Sequence, residues 1–235
     1  MTVVLFDLDD TLFDHHAAVR AGVAAHRSGL GLAGDEAAEF ARWHALEEHH
    51  YHRYLSGELS FLDQRRARVR GFVEPFAIDL ADDAVADAWF GAYLVEYERA
   101  WMLHPDALAC LDALATAGHR LGIITNAERT FQLRKLDALA LTARMEHIVA
   151  SGDHGFAKPD ARIFDAALAL YGVAASEAVY VGDRLDTDAL GAARAGLTGV
   201  WIDRHGSATA EQLALAADLG AHVIRSLAEL PALLT

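Results

Sequence analysis

Val3-Val4-Leu5-Phe6-Asp7-Leu8-Asp9-Asp10-Thr11 is the stretch on which the reading of this chain turns. Its four leading apolar residues read as a buried strand, and they run straight into carboxylates that no core holds unpaired. In open α/β sheets, ligands sit just beyond the carboxyl ends of strands. A strand ending in acids therefore predicts a site, and the acids predict a bound divalent cation. The plainer alternative is a solvated, Asp-rich turn.

Two further strand ends favour the site. Leu121-Gly122-Ile123-Ile124 ends in Thr125-Asn126, and Ala178-Val179-Tyr180-Val181 ends in Gly182-Asp183-Arg184-Leu185-Asp186-Thr187-Asp188. Between them lies Ala157-Lys158-Pro159, in a chain with only two lysines. The proline biases Lys158 toward an extended backbone. If the strands are parallel in one sheet, acid pair, hydroxyl, ammonium and second acid cluster all meet at one edge. A cation then sits between the carboxylates, while Thr125 and Lys158 face a dianion such as a phosphate. Asp9, two residues beyond Asp7 on an extended segment, points to the same side.

The rest of the chain fits one and a half domains in its 235 residues. From His104 onward the pattern alternates: helix near 105–117, strand 121–124, helix 128–138, strand 147–150, helix 160–171, strand 178–181, helix 188–195, strand 199–203. Residues 207–235 read as a helix, a short strand at His222–Ile224 and a closing helix. Such alternation implies parallel βαβ units. Residues 15–99 instead show only helical periodicity. Asp35 caps a helix carrying Phe40, Trp43 and Tyr54, Ser60 and Asp63 have capping-box spacing, and Asp82 starts a helix with Val85, Trp89 and Tyr93 on one side. The expected domains are thus an α/β core of 1–14 and 100–235 and an inserted helical cap of 15–99.

Bulk properties exclude several classes. A formal charge of −14 with no basic run disfavours binding to polymeric nucleic acid. The single cysteine, Cys110, gives no disulfide framework. The opening apolar run is too short for a membrane span and has no basic segment before it, so a cytoplasmic protein without a membrane partner is expected. Nothing in the sequence fixes the oligomeric state.

Asp7-Leu8-Asp9-Asp10-Thr11, Thr125, Lys158-Pro159 and Gly182-Asp183 through Asp188, in this order, resemble the motifs of the haloacid dehalogenase superfamily. Gly191-Ala192-Ala193-Arg194-Ala195-Gly196 resembles the helix that follows the last of them, so the likeness spans nearly the whole chain. Arg184 and Thr187 depart from the Ser and Asn frequent there, leaving the hydrogen bonds around the metal open. The resemblance implies a Rossmann-like parallel-sheet core with a helical cap that roofs the site. It also implies phosphoryl transfer through an aspartyl-phosphate, with Asp7 as nucleophile and Asp9 as general acid and base. Mg²⁺ would be held by Asp7, the Asp9 carbonyl and Asp183, with Asp188 holding a coordinated water or orienting Lys158. Thr125, Asn126 and Lys158 would bind a small phosphorylated metabolite. Dehalogenases of the superfamily lack the second Asp of the first motif, so Asp9 favours phosphate chemistry. Within the superfamily, the motifs look closest to pyrimidine 5′-nucleotidases. A haloacid dehalogenase, a phosphomutase and a non-catalytic binding relative are the alternatives.

Other polar residues read more plainly. Asp186 is expected to be solvated, and Asp10 and Asp14 to be turn or hinge residues. His44, Glu48 and His52 have metal-binding helical spacing, but adjacent His49 and His50 diverge, and with Glu47 the group reads as a solvated face. Arg53, Arg65, Arg66, Arg68 and Arg70 are expected mostly on the surface, with one or two facing substrate. Trp89, Tyr93 and Trp101 read as core.

Overall fold

The computed structural model describes residues 2–32 and 34–234; the expected domain limits at residues 1 and 235 lie outside them. Strand β1 (Val3–Phe6) leads into helices α1 (His15–Gly29), α2 (Glu36–Leu55), α3 (Phe61–Val73) and α4 (Asp83–Arg99). Alternation then begins: α5 (Ala107–Thr116), β2 (Arg120–Thr125), α6 (Arg129–Ala138), β3 (His147–Ala150), α7 (Ala161–Tyr171), β4 (Ala178–Gly182), α8 (Leu190–Arg194), β5 (Thr198–Ile202), α9 (Ala210–Asp218), β6 (His222–Ile224) and α10 (Leu230–Leu233). Residues 1–14 with 102–235 form one compact unit, and 15–101 another.

In the first unit, six strands form a parallel sheet in the order β3-β2-β1-β4-β5-β6, a Rossmann-like α/β core. β1 lies centrally, with Phe6 in register with Ile123 of β2 and Val181 of β4. Because helices cover both faces, β1 and β4 are buried along their full length and read as unbroken apolar runs. Ile163, Phe164, Ala167 and Leu168 of α7 pack with Leu5, Ile124, Val149 and Tyr180 in one core cluster. The chain order turns back across β1 and β4, the place where open sheets form their ligand crevice. The expected helix 188–195 is split: a π-type turn over Leu185–Ala189 precedes α8.

In the second unit, the caps are as the sequence predicts. The Asp35 and Asp82 carboxylates accept from the first-turn N–H groups of α2 and α4, and Ser60 Oγ accepts from Asp63 N–H. The α4 stripe differs. Val85 is exposed, and the buried side carries Ala86, Phe90, Tyr93 and Tyr97. Apolar residues surround this helix, so i, i+4 spacing alone does not select the inward side. Gly22 sets how closely α1 approaches α4, since a Cβ there would lie 2.9 Å from Tyr97 Cα. Trp43, fully buried, contacts Phe72, Phe90 and Tyr93 at the centre of this unit. No helix among the described residues is long and apolar enough to cross a membrane.

Candidate active site

The site grows from the end of β1. Asp7 N–H donates to Val181 O at 2.9 Å, carrying the β1–β4 pairing one residue past the strand. The chain then folds back: Leu12 and Phe13 N–H both donate to Leu8 O, at 3.1 and 2.9 Å, with Asp10 in the left-handed region at φ 57°. Leu8, Leu12 and Phe13 are fully buried anchors. Asp7 and Asp9, between and beside them, are thereby held at the sheet edge.

Lys158, 4% exposed, points its ammonium into this edge. Its Nζ lies 2.7 Å from Asp7 Oδ1, 2.7 Å from Asp188 Oδ1 and 2.6 Å from the Tyr180 hydroxyl. An ammonium has three N–H groups, so these partners account for all of them. Tyr180 in turn donates to Ile124 O at 2.9 Å, tying the lysine to β2 and β4 together. The Lys158–Pro159 peptide is cis. Asn126 braces this loop: its Nδ2 donates to Lys158 O at 2.9 Å and its Oδ1 accepts from Lys158 N–H at 2.8 Å. Both ends of the amide of Asn126, expected to bind substrate, thus engage the main chain of the lysine.

Asp7, Asp183 and Asp188 each offer a carboxylate oxygen within 4.8 Å of the others. Against these three acids stands the Lys158 ammonium, with Arg184 acting on Asp183. Burial, then Asp188 and Asp9, push the Asp7 carboxyl up to about 7, although Lys158 opposes the rise. Burial, Asp188 and Asp7 push Asp183 well above the carboxylate range. Crowded, desolvated carboxylates of this kind are relieved by a cation, and an all-oxygen donor set suits Mg²⁺. The residues therefore fit the expected metal, which the carboxylates of Asp7 and Asp183 would hold. Asp188 is already engaged, by Lys158 at Oδ1 and by Arg184 N–H at Oδ2, 3.0 Å away. Gly182 permits that placement, because a Cβ there would lie 2.3 Å from Asp188 Oδ2. Trp201 Nε1 holds the Asp183 carbonyl at 2.8 Å.

Sequence reasoning missed the partners of Asp9. Lys135 Nζ forms an ion pair with Asp9 Oδ1, and Gln132 Nε2 donates to Asp9 Oδ2 at 3.0 Å and to Thr125 Oγ1 at 2.7 Å. Gln132 and Lys135, three residues apart on α6, share one helix face and are each 1% exposed. The available signal was the scarcity of lysine: with only two in the chain, the second is as unusual as the first.

Elsewhere, Asp186 is exposed as expected. Asp10, Asp14 and His104 form a second cluster of possible ligands. In the helical unit, Glu47 is not on a solvated face. It pairs with buried Arg68 and with His15, and although burial opposes it, those cations hold its carboxyl far below the usual range. Arg66 is tied to Asp83 and Asp87, Arg70 to Asp83, and Arg53 to Glu58. Arg65 lies over Phe61 and Phe90. Among the described residues, the α2 histidines contribute to no cluster of three ligands.

Comparison with known proteins shows the family and the fold. The family profile of haloacid dehalogenase-like hydrolases matches residues 1–196. The chain is 35% identical over 209 residues to ribulose-1,5-bisphosphate 5-phosphatase of Halopiger xanaduensis, covering 86% of this chain and 84% of that one. It is 31% identical over 227 residues to phosphoserine phosphatase of Thermus thermophilus, covering 87% and 89%. The fold superposes on the HAD-hydrolase YfnB of Bacillus subtilis, bound to magnesium, with a TM-score of 0.83 at 21% identity over 99% of this chain and 98% of that one. Motif order, sheet topology and these matches agree: the chain belongs to the haloacid dehalogenase-like hydrolases.

Proposed function

We propose that this protein hydrolyses a small phosphate monoester through an aspartyl-phosphate on Asp7, with Mg²⁺ as cofactor. The observation that carries the reading is the pairing at the end of β1: Asp7 bound through one oxygen to Lys158, and Asp9 two residues on. Lys158 holds Asp7 Oδ1, which leaves Oδ2 to attack phosphorus. As the new O–P bond forms, the bond to the leaving oxygen breaks, and that oxygen keeps the electron pair and takes a proton from the Asp9 carboxyl. Water then attacks the phosphoryl group, giving its proton to the Asp9 carboxylate, and the Asp7 O–P bond breaks to release phosphate and restore Asp7. Thr125 and the N–H groups of Leu8 and Asp9 bind the phosphoryl oxygens, and Lys158 joins them by turning the N–H it gives to Tyr180 toward the incoming phosphoryl group. Asn126 keeps Lys158 in place. Asp7 and Asp183 would hold Mg²⁺, which would supply charge neutralisation at the phosphoryl oxygens.

The named relatives act on a sugar bisphosphate and on phosphoserine, which supports a small phosphorylated metabolite as the substrate class. The nucleoside 5′-monophosphate reading rests on motif resemblance alone and belongs on the same substrate panel. The test is phosphate release from p-nitrophenyl phosphate and a panel of metabolite esters. EDTA should abolish it, Mg²⁺ restore it, and Ca²⁺, which accepts longer bonds and more ligands, restore it poorly. Release of halide from a haloacid without phosphate release from any ester would refute the proposal.

A further inference from the structure

We infer that Lys135, together with Gln132, is a positioning residue for Asp9; the inference rests on the hydrolytic reading above. A buried ammonium is costly, and an apolar side chain of similar volume at such a place often serves stability as well or better. Here the ammonium is 1% exposed, lies 4.5 Å from the centroid of the buried Phe13 ring, and pairs with Asp9. Gln132 adds an independent sign. Both contacts of its Nε2 go to the site, to Asp9 Oδ2 and Thr125 Oγ1, while its own Oε1 is buried with no hydrogen-bond partner. An orphaned amide oxygen is destabilising, so the amide is oriented for what it donates to rather than for its own satisfaction.

The consequence is geometric. Asp9 is the more exposed of the two acids, with a third of its side chain accessible against a tenth for Asp7. Free carboxylates at such exposure sample several rotamers. One donor on each oxygen, both from α6, holds the carboxyl plane in one orientation. Proton transfer to a leaving oxygen and from an attacking water both require that plane at hydrogen-bond reach. Gln132 also joins Asp9 to Thr125, so the proton-transfer group and a phosphoryl-binding hydroxyl are set from the same helix turn.

The test is a double-mutant cycle of Lys135→Met and Asp9→Asn, read as the ratio of kcat on p-nitrophenyl phosphate to kcat on an alkyl phosphate. The phenolate leaves with little help from an acid, whereas the alkoxide needs it. Lys135→Met should raise the ratio about tenfold with KM within about twofold, and Lys135→Arg should recover part of the loss. In the Asp9→Asn background, adding Lys135→Met should leave the ratio unchanged. A merely structural role would lower both rates by one factor and leave the ratio alone, which overturns the inference; so does a ratio change that persists without the Asp9 carboxylate. Should Lys135→Met fail to fold by circular dichroism, Gln132→Met enters the same cycle, where the same two outcomes support or overturn the inference. A parent enzyme inactive on both esters would remove the hydrolytic reading and this inference with it, whereas an active parent with an additive cycle removes the inference alone.

Discussion

Asp7→Asn should make the metal-free protein more stable while destroying its activity. Asp7 is 7% exposed, and burial with neighbouring acids lifts its carboxyl from 3.8 to about 7. A carboxyl whose folded pKa exceeds its unfolded value removes stability as it ionises. The native state is undiminished below about pH 4 and loses stability as pH rises toward 7, after which the loss is complete. The interval from 3.8 to about 7 corresponds to about 4 kcal/mol. Asparagine removes the charge yet keeps an oxygen for Lys158 to donate to. That neutral acceptor is the weaker one, so a net gain of about 2 kcal/mol is expected. For a chain of this size, that is about 4–8 °C in Tm. Thermal melts in EDTA should show the gain at pH 8 and little of it at pH 4.5, and Mg²⁺ should narrow it, because the parent then regains a favourable use for its charge. Turnover should fall by several orders of magnitude. A variant melting at or below the parent at pH 8 in EDTA would refute the electrostatic argument, and residual activity above about a tenth would remove Asp7 as nucleophile.

Two other substitutions probe the scaffold. Gly182→Ala places a methyl 2.3 Å from Asp188 Oδ2, so it should cost about 1–3 kcal/mol in urea unfolding and displace Asp188 from Lys158, lowering kcat; parent-like melting and kcat would contradict the close approach. Glu47→Gln in the helical unit should leave buried Arg68 without its counter-charge, at a cost of about 3–5 kcal/mol near neutrality. Because the Glu47 carboxyl is held low, that cost should shrink as pH falls below about 4.5, where the unfolded chain begins to take up a proton that the folded carboxyl still refuses. Equal melting temperatures at pH 7 would show the pair to be dispensable.

The parallel sheet was legible because β1, β2 and β4 are buried on both faces and so read as continuous apolar runs bounded by polar ends. Helix starts at Asp35, Ser60 and Asp82 were legible because capping is a local, side-chain-to-backbone matter. The inward side of α4 was not, since its apolar residues surround the axis and only packing against α1 chooses among them. At the candidate site, the residues beyond the ends of β1, β2 and β4 were legible from their position after apolar runs together with their residue types. Lys135 and Gln132 were overlooked because they lie in the middle of a helix, where polar residues ordinarily face water. Only the fold reveals that this face of α6 looks at Asp9. Tyr180 is a similar case: as one of a run of apolar strand residues it reads as core, and its hydroxyl acquires meaning only once Lys158 is seen beside it.

Both lysines of the chain lie in buried ion pairs, 1% and 4% exposed, and every other basic side chain is arginine or histidine. The folded surface therefore offers no side-chain amine. Acylating reagents, aldehyde fixatives and enzymes that attach groups to lysine find no amine to react with outside the chain terminus. Any lysine adduct must form while α6 or the loop around Lys158 has opened, and it would strike the groups around Asp7 and Asp9 first. Labelling at Lys135 or Lys158 is therefore a clock for the opening of the candidate active site.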